Sequence, residues 1–376
     1  VYSKTPIREW FMSVTTENKQ VQLNTGFKRV ELGDSLHLGD FNAQLDTRDN
    51  RSDFKLSWNN DTEKKNSGEI NGNMMFSQYY LDLDVQKFII YAEDSLWQRV
   101  GSDHFFADSS GTFNFSDLTF VNNKQRIKIE GVVSKDPKEQ VALELENVKL
   151  NQLNPILRRN NVSIDGSITG KANISDIYHN PIFSSALNFL QLKLNGTLIG
   201  NGEINTLYDN TKNLVSLNGS FKRDFIEVLQ TSFNNISFDG YYYPNKKDSM
   251  IDLNIHLSQF ALNTVQPFVK GIFTLNQGYL NGDMRITGNL KKPLMRGEME
   301  LADVKNFKID YLNAPYQIKS GKIKIEPDEI TFDFVNLYDI QGNKGVVYGN
   351  IFHDNFSNMK LDFDINVTNF MALNTT

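Results

Sequence analysis

The sequence contains no cysteine, which excludes disulfide bonds, thiolate metal sites and a cysteine nucleophile. It also lacks the basic excess that nucleic-acid binding needs, because 39 Lys and Arg against 45 Asp and Glu leave a net charge of −6. No apolar run approaches the roughly 18 to 20 residues of a membrane-spanning helix. We therefore expect no nucleic-acid partner and no helical membrane span within this sequence.

Signatures of catalysis are missing as well. The 5 histidines are scattered, and the sequence holds no HExxH, GxSxG or Walker motif. We therefore expect a protein that is not an enzyme, with no catalytic residues, no metal site and no cofactor.

The residues that are abundant favour β-structure. Proline is scarce at 9 residues, while 27 Phe, 14 Tyr and many Asn suit strands joined by tight polar turns. Apolar and polar residues alternate in many short stretches, which gives each predicted strand one dry and one wet face. The apolar parity supplies candidate lining residues for a dry groove: Leu143, Leu145, Leu253, Ile255, Leu257, Ile323, Ile325, Phe332, Phe334, Leu361, Phe363, Ile365 and Val367.

Helical periodicity is nearly unsupported. The two best stretches, 150–159 and 262–270, contain Pro155 and Pro267 and can form one or two turns at most. A long sheet with one apolar face then has no amphipathic helix to cover it. We expect the sheet to fold over on itself as a sandwich, barrel or bent trough, or to hold an apolar ligand.

Self-comparison indicates a repeat of about 110 residues. Gly131, Gly240 and Gly349 are spaced 109 apart (240 − 131 and 349 − 240), and each is predicted to end a strand before a polar turn. Ala261-Leu262-Asn263-Thr264 recurs as Ala372-Leu373-Asn374-Thr375. Units that share one apolar face stack in one dimension, so we expect an elongated antiparallel sheet with no closed core.

The landmarks also predict how the chain is divided. We expect a groove segment of unclear register over residues 1–125, repeats over 126–240 and 241–349, and a truncated repeat over 350–376. Because the last copy stops partway, we expect this chain to be an internal part of a longer protein.

A set of motifs in the second half carries a family resemblance. They are Ile286-Thr287-Gly288, Lys291-Lys292-Pro293, Gly297, Phe307-Lys308-Ile309-Asp310-Tyr311-Leu312-Asn313, Gly342-Asn343, Gly349-Asn350-Ile351-Phe352-His353 and Asn369-Phe370. In this order the sequence resembles the translocation and assembly module TamB family, of the Bacteroidota type, within the AsmA-like group of repeating β-groove proteins. The similarity covers about residues 141–376.

The resemblance implies a periplasmic protein with an inner-membrane anchor outside these residues. It implies a long U-shaped β-sheet, a β-taco, whose apolar lining conducts phospholipid between the inner and outer membranes, with links to outer-membrane biogenesis and protein assembly. The implied partners are phospholipid acyl chains and a BamA-like outer-membrane barrel, TamA or its lipoprotein counterpart, contacted through regions outside this chain.

Two other classes of protein also fit the alternation. One is a structural or adhesin-like β-repeat protein with a closed dry core and no lipid. The other is an outer-membrane β-barrel, whose apolar face would form a band flanked by aromatic girdles.

Overall fold

The computed structural model describes residues 7–31, 37–59, 67–92, 95–101, 104–157, 163–223, 235–269, 271–290, 292–354 and 357–373. Parts of the predicted helical stretches (158–159 and 270) and of the sequence motifs (Lys291, Asn374 and Thr375) lie outside the described residues. Within the described residues the chain forms 25 strands and two short helical segments. The expected all-β antiparallel class is confirmed.

The chain divides into two compact units after Leu187. In the first unit consecutive strands pair in an antiparallel meander from β3 to β7 and from β10 to β13, and β8 and β9 each bridge β7 to β10. Its strands are β1 Ile7–Arg8, β2 Phe11–Glu17, β3 Gln20–Glu31, β4 His37–Arg48, β5 Arg51–Trp58, β6 Gly68–Phe76, β7 Tyr80–Ala92, β8 Ser95–Val100, β9 His104–Asp108, β10 Phe113–Asn122, β11 Gln125–Val133, β12 Gln140–Lys149 and β13 Ile164–Ser175.

Strand β14, Ile182–Leu194, contains the point of division. The second unit continues as an antiparallel meander in which β18 pairs with β20 and the two-residue β19 pairs with the far end of β21. Its strands are β15 Thr197–Asp209, β16 Leu214–Lys222, β17 Asn235–Tyr242, β18 Ile251–Ala261, β19 Phe273–Thr274, β20 Gln277–Asn289, β21 Lys292–Ile309, β22 Ala314–Ile325, β23 Glu329–Tyr338, β24 Lys344–Asp354 and β25 Ser357–Val367.

The glycines of the repeat play one structural role. Gly131, Gly240 and Gly349 have φ of 122°, 151° and 142°, and a Cβ on any of them would collide with a carbonyl oxygen of the next strand. They lie inside β11, β17 and β24, so the prediction that they end strands is wrong. Glycine is needed there because the neighbouring backbone approaches too closely for a side chain.

β-Bulges recur on the strands and bend them. Asn147 in β12 and Gln259 in β18 occupy the left-handed region at φ 52° and 50°, at register shifts in the ladder. The bulge N–H of Asn147 donates to Thr169 Oγ1 at 3.0 Å, and that of Gln259 donates to Asn281 Oδ1 at 2.7 Å. Because a side chain of the next strand satisfies each bulge N–H, the bend costs no lost hydrogen bond.

Among the described residues, each unit has one helical segment, which directly follows a long strand. The first runs from the 3₁₀ turn Leu150–Leu153 into the helix Asn154–Leu157, and the second from Leu262–Val265 into Gln266–Val269. These helices have one or two turns, as the prolines predict. The second segment starts 112 residues after the first (262 − 150), which agrees with the repeat seen in the sequence.

The main hydrophobic core lies in the second unit. Val304, Tyr316 and Val335 are its largest fully buried side chains, each at most 2% exposed. They lie on β21, β22 and β23, the strands at the centre of this unit's meander. No helix in the described residues has the length and apolarity needed to cross a bilayer.

Candidate functional site

The second unit holds a cavity of about 420 Å³ whose lining residues are all apolar. Strands β17, β18 and β20–β24 supply most of its wall, and the helical segment 262–269 supplies Leu262, Val265 and Val269. The volume lies in the range of about 300–1,000 Å³ that is usual for small-molecule sites. We call this cavity the apolar groove.

The groove follows from alternation along the strands that form it. On β18, Ile255 and Leu257 face the cavity, and on β22, Ile323 and Ile325 do. Ile255, Ile323 and Ile325 are only half-buried although they face the core side of the sheet. The cavity is therefore accessible from solvent and is not a sealed core.

The opposite face of the same strands is charged. Arg285 donates two hydrogen bonds to the Asp252 carboxylate, at 2.7 and 2.8 Å, and His256 lies 2.8 Å from Asp283. The hydrogen bond from Arg285 lowers the pKa of Asp252, so this carboxylate is ionised at neutral pH. The strands thus separate an aqueous face from an apolar one.

The structure brings five of the predicted lining residues to the groove. They are Ile255, Leu257, Ile323, Ile325 and Phe332. Leu253 shares their face of β18 but lies beyond the cavity, where it pairs with Ile286. Leu143 and Leu145 are half-buried on β12 in the first unit.

Strand β25 carries four further predicted residues, Leu361, Phe363, Ile365 and Val367. Ile365 and Leu361 pair with Val347 and Ile351, both of which face the core side of the sheet. The predicted residues of β25 therefore lie on the same face of the sheet as the groove. Leu361, Ile365 and Val367 are nevertheless exposed, because the only ladder described for β25 is the one to β24.

Phe334 does not share the face of Phe332, which corrects the prediction from alternation. A bulge between Phe332 and Val335 places Phe334 at φ 49° and shifts the inward parity to Val335 and Leu337. The Phe334 ring is 65% exposed and packs against Tyr348, with ring centroids 5.2 Å apart. One additional residue in the strand thus turned this side chain to the solvent face.

Sequence reasoning missed a second group of lining residues. Met295, Met299 and Leu301 occupy alternate positions of β21, as the apolar residues of the predicted strands do, and Gly297 takes the position between the two methionines. The period of two in this stretch can be seen in the sequence, but methionine is not among the residues that typically indicate a strand. The lining residues of segment 262–269 carried no strand pattern at all.

A buried polar cluster fastens the end of the described chain to the second unit. Asp339, only 2% exposed, accepts hydrogen bonds from the N–H groups of Gln341, Asn343 and Met371. Burial by itself raises the pKa of Asp339, but a hydrogen bond from the Asn343 side-chain amide, at 3.0 Å, together with these N–H groups outweighs it and the pKa is lowered. The hydroxyl of Tyr316 donates to the carbonyl of Ala372 at 2.9 Å.

These features define an antiparallel β-groove protein, in which strands with one charged and one apolar face surround an apolar site. The family model described as TamB, N-terminal domain, matches residues 106–301, which is just over half of the chain. The chain belongs to the TamB family, whose members act in outer-membrane protein assembly or lipid transport and span the periplasm. Comparisons with curated proteins and with solved structures gave no match.

Proposed function

We propose that this chain is part of a periplasmic conduit that moves phospholipids between the inner and outer membranes along its apolar groove. The observation that carries the proposal is the lining itself, which offers apolar side chains alone over about 420 Å³ while remaining open to solvent. No catalytic step is part of this function.

The physical basis is the cost of an acyl chain in water. Burying each methylene is worth about 0.8 kcal/mol, so a continuous dry surface removes much of the penalty that a lipid tail meets between membranes. The groove offers no charged or hydrogen-bonding group at its lining and thus favours tails without selecting a headgroup. If the groove binds the acyl chain with similar affinity along its length, no single site holds the lipid tightly enough to stop its movement.

The proposal includes two kinds of partner. Phospholipid acyl chains are the cargo, and a BamA-like outer-membrane barrel, TamA or its lipoprotein counterpart, receives the conduit through regions outside this chain. An inner-membrane anchor, also outside these residues, completes the span.

Lipid extraction and mass spectrometry of the purified protein test the proposal. We expect phospholipid with mixed acyl chains and mixed headgroups in protein prepared from a membrane-containing bacterial lysate. Protein that is free of lipid and also fails to take up a fluorescent phospholipid would contradict the proposal and favour a structural β-repeat protein.

A further inference from the structure

The helical segment 262–269 covers part of the apolar groove. Leu262 belongs to the buried cluster, and Val265 and Val269 line the cavity from the same segment. The segment packs on β20, where Leu280 is one of the lining residues. Leu262 and Leu280 are both buried, so solvent does not reach the groove where the segment packs on β20.

One amide side chain ties the segment to the adjoining wall of the groove. Gln266 Nε2 donates to the carbonyl oxygen of Phe273 at 2.9 Å, and the N–H of Leu275 donates to Gln266 Oε1. Phe273 and Leu275 also line the groove, so the two hydrogen bonds tie the segment to the adjoining wall. We call this pair of hydrogen bonds the amide clasp.

The same clasp occurs at the equivalent position of the first unit. Asn154, which lies 112 residues before Gln266 (266 − 154), donates from Nδ2 to the carbonyl oxygen of Ile164 at 3.0 Å. Asn154 Oδ1 accepts from the N–H of Ile164 at 2.8 Å. Two different amide residues make the same closure at a fixed interval, so the clasp is a recurring feature of the repeat.

Apart from the burial of Leu262 and the packing of Val265 on the core, the second segment has few features that favour its closed position. Its two helical pieces have four residues each, far below the length at which a helix is stable by itself, and no side chain caps its 3₁₀ turn. Thr264 Oγ1 is buried and has no hydrogen-bond partner among the described residues, which penalises the closed state. The first segment has a further tie, since Gln152 accepts from Trp97 Nε1 and donates to Gln125.

We propose that residues 262–269 form a lid on the apolar groove, that the Gln266 clasp keeps the lid closed, and that acyl chains enter the covered part when the clasp is released. The passage of acyl chains rests on the proposed function; the opening of the lid does not. A segment held by a few contacts opens locally at much lower cost than the whole unit unfolds.

Single-cysteine labelling tests the opening, since the chain has no cysteine of its own. Leu280→Cys places the inner thiol beneath the lid. Ile325→Cys places the outer thiol at the other end of the groove. On β21, Leu280 pairs with Leu301 and Ile325 pairs with Gly297, so the two thiols lie four residues apart along that strand. We expect Gln266→Ala to raise the maleimide labelling rate of the inner thiol on the order of ten- to thirty-fold, because two hydrogen bonds are lost, and to leave that of the outer thiol unchanged.

Two variants make the result specific. Asn154→Ala removes the same chemistry in the first unit and should leave the labelling of the inner thiol unchanged. Gln266→Glu keeps the acceptor for the Leu275 N–H but sets a carboxylate oxygen against the carbonyl oxygen of Phe273, so we expect a rate at least as high as that of Gln266→Ala. This variant also decides the matter if Gln266→Ala fails to fold.

The outcomes separate the lid from the lipid function. An unchanged rate at the inner thiol, or equal increases at the inner and outer thiols, would overturn the lid, the latter because it reports general unfolding. Faster labelling of the inner thiol together with faster uptake of a fluorescent phospholipid by Gln266→Ala supports the whole proposal. Faster labelling with no lipid uptake by any form of the chain supports a lid but contradicts passage of acyl chains.

Discussion

A carboxylate at position 255 distinguishes a solvent-accessible groove from a closed core. Ile255 lies on β18 between Phe238 and Met284, lines the cavity and is half-buried. Full burial of an isoleucine is worth about 1.5–3 kcal/mol, so replacing a half-buried one forfeits about half of that. A glutamate side chain there can extend into the cavity and keep part of its hydration. We therefore expect Ile255→Glu to lower the free energy of unfolding by about 1–2 kcal/mol.

The same substitution should abolish lipid binding, because an ionised carboxylate in the path repels acyl chains. Urea denaturation gives the stability, and uptake of a fluorescent phospholipid gives the binding. Asn254→Glu is the matched control, since Asn254 is exposed on the charged face of the same strand. It should leave lipid binding unchanged and alter the free energy of unfolding by only about 0.5 kcal/mol, because Asn254 gives up an exposed hydrogen bond to Asp239 but the new carboxylate also pairs with Arg285. In the full-length protein, Ile255→Glu should stop lipid supply to the outer membrane while the protein remains folded and abundant.

A closed core would respond differently. Burying an unpaired charge there costs several kcal/mol more, and the second unit would unfold. Unfolding of Ile255→Glu, or a folded variant that still binds and transports lipid, would therefore refute the assignment of β18 to the groove.

Three further predictions concern stability. Gly240→Ala should lower the free energy of unfolding by about 3 kcal/mol or more, because the new Cβ would collide with the Asp252 carbonyl oxygen. Gly342→Ala is the control, since Gly342 lies in a turn with open space around it, and it should cost about 1–2 kcal/mol. Equal losses of stability in urea denaturation would contradict the argument from close backbone approach. Tyr316→Phe should cost about 1 kcal/mol through the lost hydrogen bond to Ala372, and an unchanged unfolding midpoint would show that this bond contributes nothing. Asp339→Asn should lower the Tm at pH 7, where the depressed pKa of Asp339 stabilises the fold. That contribution is lost as pH falls below the ordinary value of 3.8, so the Tm difference should shrink on acidification; a constant difference would contradict the role of the charge.

The sequence determined the class of fold because alternation is a local property. A residue's parity in a strand depends only on its neighbours, so Ile255 and Leu257 on β18, and Ile323 and Ile325 on β22, could be assigned to the apolar face without any tertiary contact. The turns at 136–138, 244–248 and 341–343 are equally local, because their Pro, Gly, Asn and Asp residues suit hairpin connections, and each joins two consecutive strands. The repeat was readable because Gly131, Gly240 and Gly349 are required by the same close approach in each copy.

Tertiary structure decided the features that depend on a neighbouring strand or on distant residues. Phe334 turned outward because a bulge changed the register opposite β24, and nothing within β23 alone indicates an additional residue. The burial of Asp339 follows from its contact with Met371, 32 residues away in the chain. The covering of the groove by segment 262–269 likewise depends on Gln266 meeting the backbone of Phe273 and Leu275. Alternation assigns a side chain to one face of a strand. The covering of the groove, the closure of the helical segment and the bending of the strands arise only when separate strands and segments come into contact.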